Sequence, residues 1–195
     1  MKRLREENIN TSEYFDNQFE EKQVDKINTL RQECYLKHVK PGDLVVELGC
    51  GVSYFPEMAR LKGARSFGLD FSQKAIEMMS KKFPDVGYVL GDATNTNLGS
   101  DIYDVVVSGE VIEHLEKPKE LVKEMVRICR QNGKIIISTP HLEFDDPEHL
   151  WEFDEKDLYD LLSPHGETEI ERLESEKFPG RFYLVAVCKK FIYFF

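Results

Sequence analysis

The sequence predicts an α/β fold built on a doubly wound, mostly parallel sheet. Short β-branched runs recur along the chain, helical patterns with their own start and stop signals lie between most of them, and a glycine turn follows the first run in VVELGCGVS, residues 45 to 53. Strands that alternate with helices are joined by right-handed crossovers, which puts helices on both faces of the sheet. Ligands of such sheets bind at the carboxyl ends of the strands.

The elements follow in order. Residues 17 to 38 read as an amphipathic helix carrying Val24, Ile27, Leu30 and Cys34, preceded by an aromatic turn SEYFD. Residues 1 to 40 thus form a helical segment able to cap a site, with residues 41 to 195 as the core of one domain. LVVEL at 44 to 48 is the first core strand, and Ser53 and Gly63 bracket the helix after it. SFGLD at 66 to 70 is the second strand. Ser72 opens the next helix, in which Ala75, Ile76, Met79 and Phe83 keep helical spacing until Pro84 stops it. VGYVL (86 to 90) and YDVVV (103 to 107) are the third and fourth strands. A helix from Pro118 places Leu121, Val122, Met125, Val126 and Cys129 on one stripe and ends at Gly133. KIIIS (134 to 138) is the fifth strand. Asp154 is suited to cap a last helix, with Phe153 and Leu158 as its hydrophobic staple. ETEIERLES and FYLVAV, separated by the turn signal FPGR, pair as an antiparallel hairpin at the sheet's end.

Composition narrows the function. The chain has 195 residues, 41% hydrophobic and 32% charged, a formal charge of −10 and four cysteines without a C-x-x-C pair. No apolar run approaches the ~20 residues a membrane helix needs, and no secretory leader is visible, so the cytoplasm is the expected compartment. The cysteines read as reduced thiols. Net negative charge opposes attraction of nucleic acid, and the one dense basic stretch, MKRLR, reads as a solvated terminus. The apolar tail FIYFF could extend the last strand, cover a neighbouring surface or form a homodimer contact.

The glycine turn carries the chemistry. A dinucleotide-binding turn would be G-x-G-x-x-G, with a helix N-terminus facing a pyrophosphate, but here Gly49 and Gly51 are followed by Tyr54 at the third position. A lone G-x-G is as consistent with a structural turn as with a ligand loop. Glu47 shifts the balance, because a carboxylate there would repel a pyrophosphate and hold an ammonium group. Asp70, 19 residues past Gly51, ends the second strand where an acceptor can take both hydroxyls of a ribose. Phe71 beside it can lie against a purine. Asp92 in GDA can accept from an exocyclic amino group, and the N–H of Ala93 can serve a ring nitrogen. Each aspartate alone could be a simple strand-end cap, but together they describe one ligand with an amino acid end, a ribose and an adenine.

Glu47, Gly49 and Gly51 in VVELGCG, Asp70 in GLDFS, Asp92 in GDA, and YDVVVSGEVIEHL on the fourth strand resemble the motifs of class I S-adenosylmethionine-dependent methyltransferases, over about residues 40 to 165. The resemblance implies a Rossmann-like sheet of seven strands in the order 3-2-1-4-5-7-6, with strand seven antiparallel. It implies S-adenosylmethionine as cofactor, with Glu47 and the Gly49 backbone on the methionine moiety, Asp70 on the ribose and Asp92 on the adenine. Cys50, Ser108 and Glu110 join the expected cofactor wall, and Tyr14 and Phe15 either fold over it or anchor the leading helix.

The expected acceptor is a small molecule, methylated on oxygen or nitrogen. An oxygen acceptor benefits from a general base, for which His149, His114 and His141 are the candidates, whereas His38 and His165 read as surface residues. In EVIEH, Glu110, Glu113 and His114 share a face if the turn is helical, and with His149 or His141 they could instead hold a divalent metal. Small-RNA 2'-O-methyltransferases and some ubiquinone-pathway O-methyltransferases carry a similar E-x-x-E-H. The opposing reading is that EVIEHL only shapes the cofactor pocket, and no metal is expected. Trp151 and Phe153 either wall an acceptor pocket or pack in the core. A nicotinamide dehydrogenase is disfavoured by Tyr54, Glu47 and the lack of a Y-x-x-x-K pair, and a methyltransferase-like protein serving a partner without catalysis stays open.

Overall fold

A computed structural model describes residues 1 to 21, 29 to 141, 146 to 175 and 178 to 192. Its elements are β1 (Lys2–Arg3), α1 (Ser12–Glu21), α2 (Thr29–Leu36), β2 (Leu44–Leu48), α3 (Phe55–Leu61), β3 (Arg65–Asp70), α4 (Gln73–Lys82) and β4 (Gly87–Leu90). There follow β5 (Tyr103–Gly109), a 3-10 turn (Ile112–His114), α5 (Pro118–Ile128), β6 (Cys129–His141), β7 (Trp151–Glu152), α6 (Glu155–Leu162), β8 (Gly166–Glu174) and β9 (Phe182–Lys190).

Seven strands form one sheet in the order β4-β3-β2-β5-β6-β9-β8. Numbered along the core this is 3-2-1-4-5-7-6, as expected, and β9 runs antiparallel to both β6 and β8. β2 pairs in parallel with β3 on one side and β5 on the other. Successive strands are therefore added to opposite sides of the β2–β5 pair, and at the carboxyl ends of these two strands such sheets open a ligand crevice.

Alternate residues of the buried strands feed two cores. Val46, Leu48, Val106, Ile135 and Ile137 face Leu121, Met125 and Ile128 of α5 and Leu158 and Leu162 of α6. Val45, Val105, Val107 and Ile136 face Cys34 and Tyr35 of α2 and Phe55 and Ala59 of α3. Ile136 is fully buried, so its truncation to alanine costs about 2–5 kcal/mol. Ser72 caps α4 by accepting from Ala75 N, and Asp154 closes a capping box with Asp157 at the start of α6. Phe153 and Leu158, the expected staple, share the larger core.

Four local expectations are corrected. SEYFD is no turn but the first turns of α1. The helix expected over 17 to 38 is seen as the end of α1 and as α2, and Val24 and Ile27 lie outside the described residues. The helix from Pro118 stops at Ile128, not at Gly133, because Cys129 already pairs with Tyr103 and the chain passes directly into β6. Gly133 is needed for another reason: a Cβ there would come within 2.9 Å of Arg130 O and 3.0 Å of Asp104 O. MKRLR is not a free terminus, since Lys2 and Arg3 pair with Glu152 and Trp151 and the Arg3 guanidinium sits 5.4 Å from the Trp151 ring centroid. Of the tail, Phe191 and Ile192 are exposed and the rest lies outside the described residues. Among the described residues no helix is long and apolar enough to cross a membrane.

Candidate cofactor and acceptor site

A cavity of about 340 Å³ opens at the carboxyl ends of β2, β3, β4 and β5. Glu47 and the turn 49 to 53 line it from β2, Asp70 and Phe71 from β3, Gly91 to Ala93 from β4, and Gly109 to Val111 from β5. Asn8, Asn10, Phe15, Phe19, Arg31 and Gln32 close it from the leading segment. Its size lies at the lower end of small-molecule sites.

The glycine turn is bonded into the sheet rather than left open to an anion. Gly49 N and Cys50 N donate to Leu69 O at 2.8 and 3.0 Å. Gly51 N donates to Asp70 Oδ2 at 2.7 Å. With these amides occupied, the turn offers a ligand bare Cα atoms and carbonyl oxygens, a poor bed for a pyrophosphate. Gly49 adopts φ +68°, and a Cβ on it would meet Val111 Cγ2 at 2.4 Å, so glycine is required there twice over.

Two acids stand at the bottom of the turn. Glu47 is 3% exposed, and its Oε2 has no hydrogen-bond partner. Burial pushes its carboxyl up to about 8, against the opposing pull of a Ser53 hydrogen bond and the Arg31 charge. A buried carboxylate left this way is stabilised by a cation. Asp70 is buried too; burial raises its pKa while the N–H groups of Ser72 and Gly51 hold it down. Both Asp70 oxygens accept one backbone bond, Oδ1 from Ser72 N at 2.8 Å and Oδ2 from Gly51 N. A carboxylate has about four acceptor positions, so each oxygen can still take a hydroxyl. Phe71 is 40% exposed with its ring 5.7 Å from that of Phe15. Asp92 Oδ1 accepts from the N–H and hydroxyl of Thr94, both at 2.7 Å, which fixes its carboxylate beside Ala93.

Arg31 escaped the sequence reading. It lines the cavity from α2, lies 4.4 Å from the Tyr183 ring centroid and pairs with Glu110 Oε1 at 2.5 Å. Burial pulls its pKa down, but Glu110 together with Tyr35 and Tyr183 more than offsets this, so the pKa is raised. The available signal was its spacing: Arg31, Cys34 and Tyr35 are i, i+3 and i+4 and share the buried face of the helix. Asn10 was missed as well, and its amide donates to His114 O and Glu148 O.

Some expected site residues lie elsewhere. Ser108 is not on the cavity wall; it is buried and donates to Leu48 O at 3.0 Å, tying β5 to β2. Tyr14 donates to Glu148 Oε1, and Phe15 takes the place on the wall. His141 ends β6 with Nε2 3.7 Å from Glu155 Oε2, away from the cavity lining. Phe153 is core, and Trp151 donates to Leu115 O. Glu110, held at φ +57°, accepts from Ser138 Oγ and pairs with Arg31, so it stands apart from Glu113, His114 and His149, which gather beside the cavity. His114 belongs to the wall itself, with Leu115 and Glu116 next to it.

Residues 46 to 137, which contain the glycine turn, Asp70, Asp92 and the EVIEHL turn, match the family model described as a methyltransferase domain. This is a class I S-adenosylmethionine-dependent methyltransferase domain. A "Probable S-adenosylmethionine-dependent methyltransferase" of Mycolicibacterium smegmatis is 30% identical to it over 139 residues, 67% of this chain and 54% of that protein. The ubiquinone biosynthesis O-methyltransferase of Photobacterium profundum is 27% identical over 135 residues, 66% of this chain and 57% of that one. The chain spans about half the length of the curated relatives it matches. A solved chain from the Haloferax volcanii complex between the Trm112 methyltransferase activator and a methyltransferase shares the methyltransferase fold. Its TM-score is 0.74 at 19% identity, covering 91% of this chain and 98% of that one.

Proposed function

We propose that the domain binds S-adenosylmethionine in the cavity with its amino acid end on Glu47 and transfers the methyl to an oxygen or nitrogen of a small-molecule acceptor. The observation that carries this is the partnerless buried oxygen of Glu47 beneath a turn whose amides are already occupied. That arrangement suits an ammonium group and disfavours a pyrophosphate.

The cofactor supplies an electrophilic methyl on a positively charged sulfur, so the chain's work is binding, orientation and exclusion of water. Glu47 takes the ammonium and Arg31 can take the carboxylate, a zwitterion matched by one buried acid and one buried base. Asp70 accepts from the ribose hydroxyls, Phe71 lies against the base, and Asp92 with Ala93 N–H reads its edge. Gly49, Cys50 and Gly51 give the close backbone approach. The acceptor enters the end walled by Asn8, Asn10, His114 and Glu116, with His149 beside His114.

A small acceptor is favoured over RNA by the charge of −10 and by the modest cavity. The kinship with a ubiquinone biosynthesis O-methyltransferase points the same way. The likeness to a chain from a complex with a methyltransferase activator makes a protein partner a second reading. Incubating the protein with a cell extract and S-adenosylmethionine carrying an isotopically labelled methyl, then locating the label by mass spectrometry, tests the proposal. Label in a metabolite is expected; label confined to RNA or protein overturns the small-molecule reading, and no label unless a copurified partner is added favours the second.

A further inference from the structure

Three side chains from two segments meet beside the acceptor end of the cavity. Glu113 and His114 belong to the 3-10 turn after β5, and His149 to the loop before β7; each offers a ligand atom within 4.8 Å of the other two. Glu113 is 1% exposed. Its Oε2 accepts from Thr139 Oγ1 at 3.0 Å, while its buried Oε1 has no hydrogen-bond partner and lies 3.9 Å from His114 Nε2. An oxygen shut away from water in this manner calls for a proton or a cation.

The orientation of His114 decides between them. Its Nδ1 is 3.0 Å from Glu148 O, a group that can only accept. In the neutral ring Nδ1 then carries the hydrogen and Nε2 turns a lone pair toward Glu113. A proton on Glu113 would find Nε2 at 3.9 Å, too far to accept it. Two lone pairs facing across such a gap suit an ion between them, and an imidazole anchored through its other nitrogen to a backbone carbonyl is the usual posture of a metal-bound histidine. The surrounding loop is fixed as well: Leu150 N donates to Glu113 O at 2.8 Å, and Asn10 holds both His114 O and Glu148 O.

We infer that Glu113, His114 and His149 bind one divalent transition-metal ion of the zinc or manganese class. Two imidazoles and one carboxylate favour such ions over magnesium or calcium, which prefer all-oxygen shells. Tetrahedral ligands about 2.1 Å from a metal stand about 3.4 Å apart, so the group has to contract by at most about 1.4 Å. Glu110 takes no part, because Arg31 neutralises it. Three protein ligands leave a coordination position free, and His114 lines the cavity, so that position serves the acceptor.

The catalytic consequence rests on the proposed methyl transfer. A hydroxyl of the acceptor bound to the ion becomes more acidic and loses its proton to solvent. Its electron pair then forms the new C–O bond, and the pair of the broken S–CH3 bond stays on sulfur as S-adenosylhomocysteine.

Chelator-stripped protein, titrated calorimetrically with zinc chloride and separately with manganese chloride, tests the site, with bound metal counted by mass spectrometry after gel filtration. One ion per chain is expected, weakened at least tenfold in Glu113→Gln and His149→Ala and unchanged in His165→Ala. His114→Ala, at the cavity wall, is the variant to use if either buried substitution fails to fold. Absence of stoichiometric binding, or equal binding by these variants and the wild type, overturns the inference. The same samples are titrated with S-adenosylmethionine: cofactor bound without metal refutes only the ion, and metal bound without cofactor refutes only the methyl-transfer reading.

Discussion

Glu47→Gln separates what this acid costs the fold from what it gives the cofactor. Burial lifts the carboxyl from its ordinary 4.5 to about 8. Between those values the unfolded chain has released the proton while the folded chain still holds it, so stability is fully present below pH 4.5 and falls as pH rises toward 8. At pH 7 the interval crossed is 2.5 units, or about 3 kcal/mol at ~1.36 kcal/mol per unit. Glutamine keeps the shape and has no proton to lose. The variant should match the wild type at pH 4, exceed it by about 3 kcal/mol at pH 7 and level off above pH 8. Urea unfolding between pH 4 and pH 9 measures this. Calorimetry on the same variant should show S-adenosylmethionine binding weakened by about ten- to a hundredfold, the loss of a charge-assisted contact of roughly 1.5–3 kcal/mol. Parallel stability profiles for the two proteins, or undiminished binding, would refute the reasoning.

Three further outcomes follow from the same geometry. Wild-type protein should release most of a proton on binding the cofactor at pH 7 and take one up at pH 9, read from binding heats in buffers of different ionisation enthalpy, because the ammonium draws Glu47 into its charged form and, above about pH 8, the free amine must first gain a proton. Asp70→Ala should weaken cofactor binding by one to two orders of magnitude, and an unchanged dissociation constant contradicts the ribose role. Gly49→Ala, with φ +68° and Val111 in the path of its methyl, should lower stability by about 2–4 kcal/mol in urea unfolding.

How far the sequence disclosed this depended on how local the cause was. Val45, Val46 and Ile135 to Ile137 announce buried strands because period and branching are properties of a few adjacent residues. The N-cap Asp154 and its staple of Phe153 and Leu158 span a few adjacent positions and were equally plain, whereas the part of Asp157 in a capping box was not read. The end of α5 was misread because Gly133 looks like a helix stop, whereas its demand comes from Asp104 on the neighbouring strand. The acids were legible as residue types at strand tips. Their state was not: that Glu47 Oε2 is left without a partner depends on α2 closing over it, and that Asp70 holds Gly51 N depends on the β2 to β3 register. Arg31 and Asn10 reach the site from the leading segment by tertiary packing, and Ser108 leaves it for the same cause, since its hydroxyl finds Leu48 O across the strand pair.

The most direct test of the central claim, that this cavity receives a sulfonium nucleoside on buried acids, is a paired calorimetric titration with S-adenosylmethionine and with NAD at about pH 7.5, where the ligand's amine is still mostly charged and can draw Glu47 into its charged form. Binding of the first at one per chain and none of the second is predicted. Binding of NAD with none of S-adenosylmethionine would contradict it.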